Sequence, residues 1–72
     1  MEGFGERLKR FRKENNLTQT QLAEKLNVHL QTVSKWERGV SEPDFAVIGE
    51  LAVVLNVSLE KLLGATEGEV VF

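Results

Sequence analysis

Apolar residues recur along this chain at helical spacing, in five separate runs broken by polar, turn-forming residues. Phe4, Leu8 and Phe11 stand at i, i+4 and i+7, one stripe of a first helix that stops near Asn15 and Asn16. Thr18 followed by Gln21 has the form of a capping box, in which the hydroxyl and the amide each satisfy a backbone N–H that the helix start leaves unbonded. A second helix is therefore predicted from about Gln19, with Leu22, Ala23 and Leu26 as its buried face. It ends at Asn27, a residue that tolerates the left-handed conformation a tight turn needs. Val28 then turns inward. A third helix is predicted from about Leu30 to Arg38, with Val33 and Trp36 facing in and Gly39 as its stop.

Ser41-Glu42-Pro43-Asp44 makes the next break. Proline cannot continue a helix but can begin one, and Asp44 suits the positive end of the helix that follows. Phe45, Ile48, Leu51, Ala52 and Leu55 give this fourth helix its core stripe, while Val47, Val53 and Val54 lie partly off it. Asn56-Val57-Ser58 repeats the turn, with Ser58 as N-cap of a short fifth helix carrying Leu59, Leu62 and Leu63 and closed by Gly64. These elements predict an all-α, compact five-helix bundle over residues 1–64. The tail, 65–72, has no helical pattern, and its end, Val70-Val71-Phe72, has too little around it to form a core. It is expected to be an edge strand or a linker cut from a longer chain.

At 72 residues the chain holds one small domain, and 42% hydrophobic residues with 28% charged fit a folded chain rather than a disordered one. Without cysteine there is neither a disulfide framework nor a thiolate metal site. No apolar run approaches the ~20 residues that span a bilayer, and charges begin at Glu2, so the expectation is a cytoplasmic protein without membrane contact. The net charge of −2 argues against a nucleic-acid partner until its distribution is considered. Residues 1–39 carry eight Lys and Arg against five acids, a net of +3, whereas residues 40–72 carry one Lys against six acids, a net of −5. A domain with two such poles can turn one side toward phosphate.

The segment from Leu17 to Gly39 then acquires a chemical meaning. Two short helices joined by a tight turn, the second with a polar outer face, can set that second helix in the major groove of DNA. With Val33 and Trp36 facing in, a 3.6-residue period leaves Leu30, Gln31, Ser34 and Lys35 facing out, with Thr32 and Arg38 at the margins. The Gln31 amide both donates and accepts, so it can pair with adenine N6 and N7. Lys35 can reach guanine O6 and N7 or a phosphate, and Leu30 offers contact to a thymine methyl.

The Thr-Gln-x-x-Leu-Ala block at Thr18, Gln19, Leu22 and Ala23, linked to Thr-Val-Ser-Lys-Trp-Glu at Thr32 to Glu37 and then Gly39, resembles the Xre/Cro family of phage-repressor-type helix-turn-helix domains. The resemblance runs from about Phe4 to Gly64. It implies a transcriptional regulator, more often a repressor, that binds double-stranded DNA as a homodimer on a pseudo-palindromic operator. It also implies phosphate contacts from Gln19 and Arg38, with Arg12 of the first helix and Thr32 beside them, and a structural pair between Arg12 and Glu37. His29 stands where the family carries a Ser or Thr N-cap, and is expected to be a substitute cap or a solvent-facing residue. Glu42 departs from the more basic repressors and should repel phosphate in the loop after the third helix.

Other classes use different features. The same fold could hold a protein partner, as an antitoxin does, through Val47, Val53 and Val54, or it could be the N-terminal DNA-binding domain of a longer sensor. An enzyme is not expected: there is one His, no Gly-rich phosphate loop, and no base beside Ser34 or Ser58. A lone His also leaves no metal site, and no cofactor is expected.

Overall fold

The computed structural model describes residues 2–64, which form α1 (Phe4–Glu14), α2 (Gln19–Leu26), α3 (Leu30–Arg38), α4 (Phe45–Leu55) and α5 (Leu59–Leu63). The tail expected over 65–72 lies outside the described residues. Each boundary has a local cause. Gln21 N–H donates to Thr18 Oγ1 at 3.0 Å while Thr18 N–H donates to Gln21 Oε1 at 2.8 Å, the reciprocal cap of α2. Asp44 Oδ1 accepts from Val47 N–H at the start of α4, and Ser58 Oγ from Lys61 N–H at the start of α5. Asn27 and Asn56 end α2 and α4 in the left-handed conformation, with φ of 59° and 58°.

Caps fix where the helices begin, but packing holds them. Leu8, Phe11, Leu22, Val33, Leu51, Leu55 and Leu62 are fully buried, with Ala23, Leu26, Trp36 and Ala52 completing the core. Each large side chain so buried contributes roughly 1.5–3 kcal/mol, against about 1 kcal/mol for a cap. α3 packs on α1 and α2, α5 packs on α1 and α4, and α2 packs on α4, so α3 is held from behind by two helices.

One core assignment fails. Phe45 is 71% exposed, and the stripe of α4 is carried by Leu51, Ala52 and Leu55 with Ile48 half-buried. Phe45 is the first residue of its helix, a turn before the packed stretch. Leu63, at 41% exposure, likewise turns away from the core that Leu62 enters.

Two polar ties were not legible as such. Arg7 Nε donates to Leu62 O at 2.9 Å and Nη2 to Leu63 O at 3.1 Å, so a guanidinium from α1 caps the free carbonyls of α5. Asn15 Nδ2 donates to Phe11 O and to Leu55 O, both at 2.8 Å, joining the ends of α1 and α4. The available signal is position: Arg7 lies three after Phe4 and four before Phe11, and Asn15 lies four after Phe11, both along the inward stripe.

α1 and α3 cross where Arg12 and Glu37 meet. Arg12 Nε donates to Glu37 Oε2 at 2.6 Å and Nη2 to Oε1 at 3.1 Å, while Nη1 donates to Leu17 O at 2.8 Å. The side chains are 9% and 3% exposed. At the same crossing Gly5 faces the end of α3 so closely that an added Cβ would lie 2.5 Å from Glu37 O and 2.6 Å from Trp36 O. Only a residue without a side chain fits there.

Two sets of thermal melts test this crossing. Gly5→Ala should destabilise by about 1–3 kcal/mol through backbone overlap, whereas Gly49→Ala, with open space around its Cβ in α4, should stabilise by about 0.5–1 kcal/mol. Arg12→Met and Glu37→Gln should each cost up to about 3–5 kcal/mol, since each leaves a buried charge without its partner. The double mutant should lose clearly less than the sum; additive losses would show that the two side chains are not coupled.

Candidate nucleic-acid interface

The geometry of the outer surface is set by the short turn between α2 and α3. Asn27 reverses the chain in the left-handed conformation, and Val28 N–H donates back to Ala23 O at 3.0 Å. Val28 packs against the core, and α3 starts two residues later with its orientation fixed. Gly39 ends α3 with φ 77°, and the N–H groups of Val40 and Ser41 return to Lys35 O.

With Val33 and Trp36 buried, the opposite side of α3 presents Leu30 at 44% exposure together with the exposed Gln31, Lys35 and Arg38. Ser34 and Thr32 are half-buried at its borders. Arg38 Nε donates to Ser34 Oγ at 3.2 Å, which draws these two side chains together along one edge of the helix. That hydroxyl keeps its own O–H for a further acceptor. The surface therefore offers one amide, one ammonium, one guanidinium and one apolar side chain on a single helical face.

Gln19, the first residue of α2, is half-buried. Its Nε2 donates to Glu37 Oε1 at 2.9 Å, so the carboxylate that pairs with Arg12 also holds the Gln19 amide. One amide N–H is used there, and the second N–H and the carbonyl oxygen remain available.

Arg12 is not on the exposed surface. Its guanidinium is buried and engaged by Glu37 and Leu17 O, and withdrawing it would strand the Glu37 carboxylate in a dry crossing. Arg12 is expected both in a structural pair and on phosphate; the pair with Glu37 is the contact that the structure contains. Other cations of the positive half are engaged as well. Arg10 pairs with Glu2 at 2.8 Å and Glu14 at 3.8 Å and lies 4.5 Å from the Phe11 ring centre. The Arg10 hydrogen bond holds the Glu2 carboxyl below its usual range, against a smaller opposing effect of desolvation. Counting charges along the sequence could not separate these guanidiniums, held by carboxylates of the same chain, from the exposed Lys35 and Arg38.

Among the described residues no group of three or more His, Cys, Asp or Glu side chains is placed to hold a metal ion, and no helix is long and apolar enough to cross a membrane.

The helix-turn-helix family HTH_3 matches residues 8–62. An uncharacterized HTH-type transcriptional regulator of Bacillus subtilis, YqaE, is 38% identical over 69 residues, covering 96% of this chain and 60% of its own length. Across four curated regulators that it matches, the chain spans between 31% and 61% of their lengths. Two solved structures share the fold. The biofilm master regulator SinR, crystallised in complex with DNA, superposes with a TM-score of 0.77 at 34% identity, covering 83% of this chain and 97% of that one. The P22 c2 repressor, crystallised with a synthetic operator, gives a TM-score of 0.81 at 30% identity, covering 88% of this chain and 96% of that one. By the residues matched, the turn geometry and the arrangement of its helices, the chain belongs to the phage-repressor-like helix-turn-helix family.

Proposed function

We propose that this domain is a sequence-specific DNA-binding module of a transcriptional regulator, acting in the cytoplasm as a homodimer that represses by occupying a pseudo-palindromic operator. The observation that carries the reading is the outer face of α3, where Leu30, Gln31 and Lys35 stand exposed on a helix buried behind by Val33 and Trp36. The likeness to SinR, crystallised with DNA, and to the P22 c2 repressor, crystallised with a synthetic operator, supports it. Leu30, Gln31, Ser34 and Lys35 read base edges, and Gln19, Thr32 and Arg38 set the register on phosphate. Val53, 80% exposed on α4, and Leu63 on α5 are spare apolar surface through which a second copy joins.

Selection of bound duplexes from a random DNA pool tests the reading directly, because recovery of no preferred sequence would refute it. With a selected operator in hand, Gln31→Ala should weaken binding by ~1–3 kcal/mol and barely change affinity for random DNA, since a base contact carries sequence information and a phosphate contact does not. Equal losses on both would move Gln31 to the backbone.

Arg12 is buried, Arg7 and Arg10 are tied down, and Glu42 is exposed in the loop after α3, so one protomer neutralises only a few phosphates. Each neutralised phosphate adds roughly −0.9 to the slope of log affinity against log salt, which makes the slope per protomer shallow and half-site binding weak. Useful affinity comes from two linked protomers whose α3 helices sit about 34 Å apart. Titration of half-site and full-site duplexes at several salt concentrations, with sedimentation of the protein alone, measures this. Tight half-site binding by a strict monomer with a steep slope would contradict it.

A further inference from the structure

His29 occupies the N-cap position of α3 without capping the helix. Its backbone is extended, with φ −76° and ψ 149°, as an N-cap requires, yet its side chain makes no hydrogen bond to the helix. Thr18, Asp44 and Ser58, at the corresponding positions of α2, α4 and α5, each accept from the backbone N–H three residues on. Imidazole is a poor substitute for these short oxygen side chains, so α3 forgoes a cap that three of its neighbours have. The ring is exposed, and it immediately precedes Leu30 and Gln31, at the end of the helix that a helix-turn-helix domain turns toward DNA. Where a residue breaks a local rule without an internal gain, the compensation is usually sought in function.

We propose that His29 is a DNA-contacting residue, its ring N–H donating to a phosphate oxygen at the rim of the major groove. The inference rests on the reading that α3 binds DNA. A phosphate is the partner the position favours. The N-cap lies half outside the helix, one step back from the outward side chains of the first turn, which point to the groove floor. Imidazole carries an N–H donor in either protonation state. On a face whose own cations are Lys35 and Arg38, such a donor adds one further backbone contact.

The test uses the full chain as wild type, His29→Ser and His29→Gln, each melted thermally and titrated against a duplex selected by the wild type and against random duplex. His29→Ser supplies the missing cap and replaces the ring donor by a hydroxyl on Cβ, whose O–H remains a donor but lacks the reach of the imidazole. Its melting temperature should rise by roughly 4–8 °C while its affinity for both duplexes falls about tenfold. His29→Gln, a poor cap that keeps an N–H donor, should melt like the wild type and bind within about threefold of it. Opposite movement of stability and binding is what a merely exposed side chain would not produce. Unchanged binding by His29→Ser, with the wild type binding normally, overturns this inference alone, and a loss confined to the selected duplex overturns the phosphate assignment. A wild type that selects no duplex overturns the DNA-binding reading together with it.

Discussion

The Glu37 carboxylate is where three helices are brought to one point. Arg12 reaches it from α1 through two N–H groups, Gln19 reaches it from the first residue of α2, and the carboxylate itself belongs to the last turn of α3. Burying a charge pair is not in itself a gain, because desolvation offsets much of the attraction. What the pair adds is directional. An apolar contact at this crossing would let α3 slide or rotate on α1, whereas a two-pronged guanidinium–carboxylate pair admits one register. Gly5 makes this possible by letting the α1 backbone approach the carbonyls of Trp36 and Glu37. The exposed side of α3 is therefore oriented from its buried side.

The same arrangement decides which cations of an acidic chain remain on its outer surface. Much of its arginine is spent internally: Arg12 on Glu37, Arg7 on the carbonyls of α5, Arg10 on Glu2 and the Phe11 ring. Guanidinium suits this work because its donors form a rigid fork that matches carboxylates and adjacent carbonyls. Lysines, whose charge sits on a long flexible stem, are left outside. On the function proposed for it, the α3 face offers the shape and hydrogen bonding of a few side chains more than a strong positive field.

How far the sequence revealed this depends on whether the determining interaction is local. Thr18 with Gln21, Asn27, Asp44, Asn56 and Ser58 act within one turn of themselves, and the helix boundaries they imply agree with those of the fold. The inward positions Val33 and Trp36 follow from period alone, and they determine which side of α3 faces out. Phe45 shows the limit. It fits the periodicity of α4, but periodicity cannot tell that the helix begins past the edge of the core. Arg7, Asn15 and the second partner of Glu37 were hidden for another reason: their hydrogen bonds join groups distant in the chain, and no local pattern records the far partner.

The reach of Arg7 has a consequence for how the domain comes apart. α5 is five residues long, too short to persist as an isolated helix in water, and it depends on burial of Leu62 and on the guanidinium that covers its last carbonyls. That guanidinium sits 55 residues earlier in the chain and is itself steadied by Glu2 O at 2.8 Å. Fraying at the start of the chain therefore removes a support of the last helix, and opening of the last helix frees the first. Arg7 thus ties α1 to α5, and amide protons in α5 should exchange at a rate set by events in α1 as much as by α5 itself.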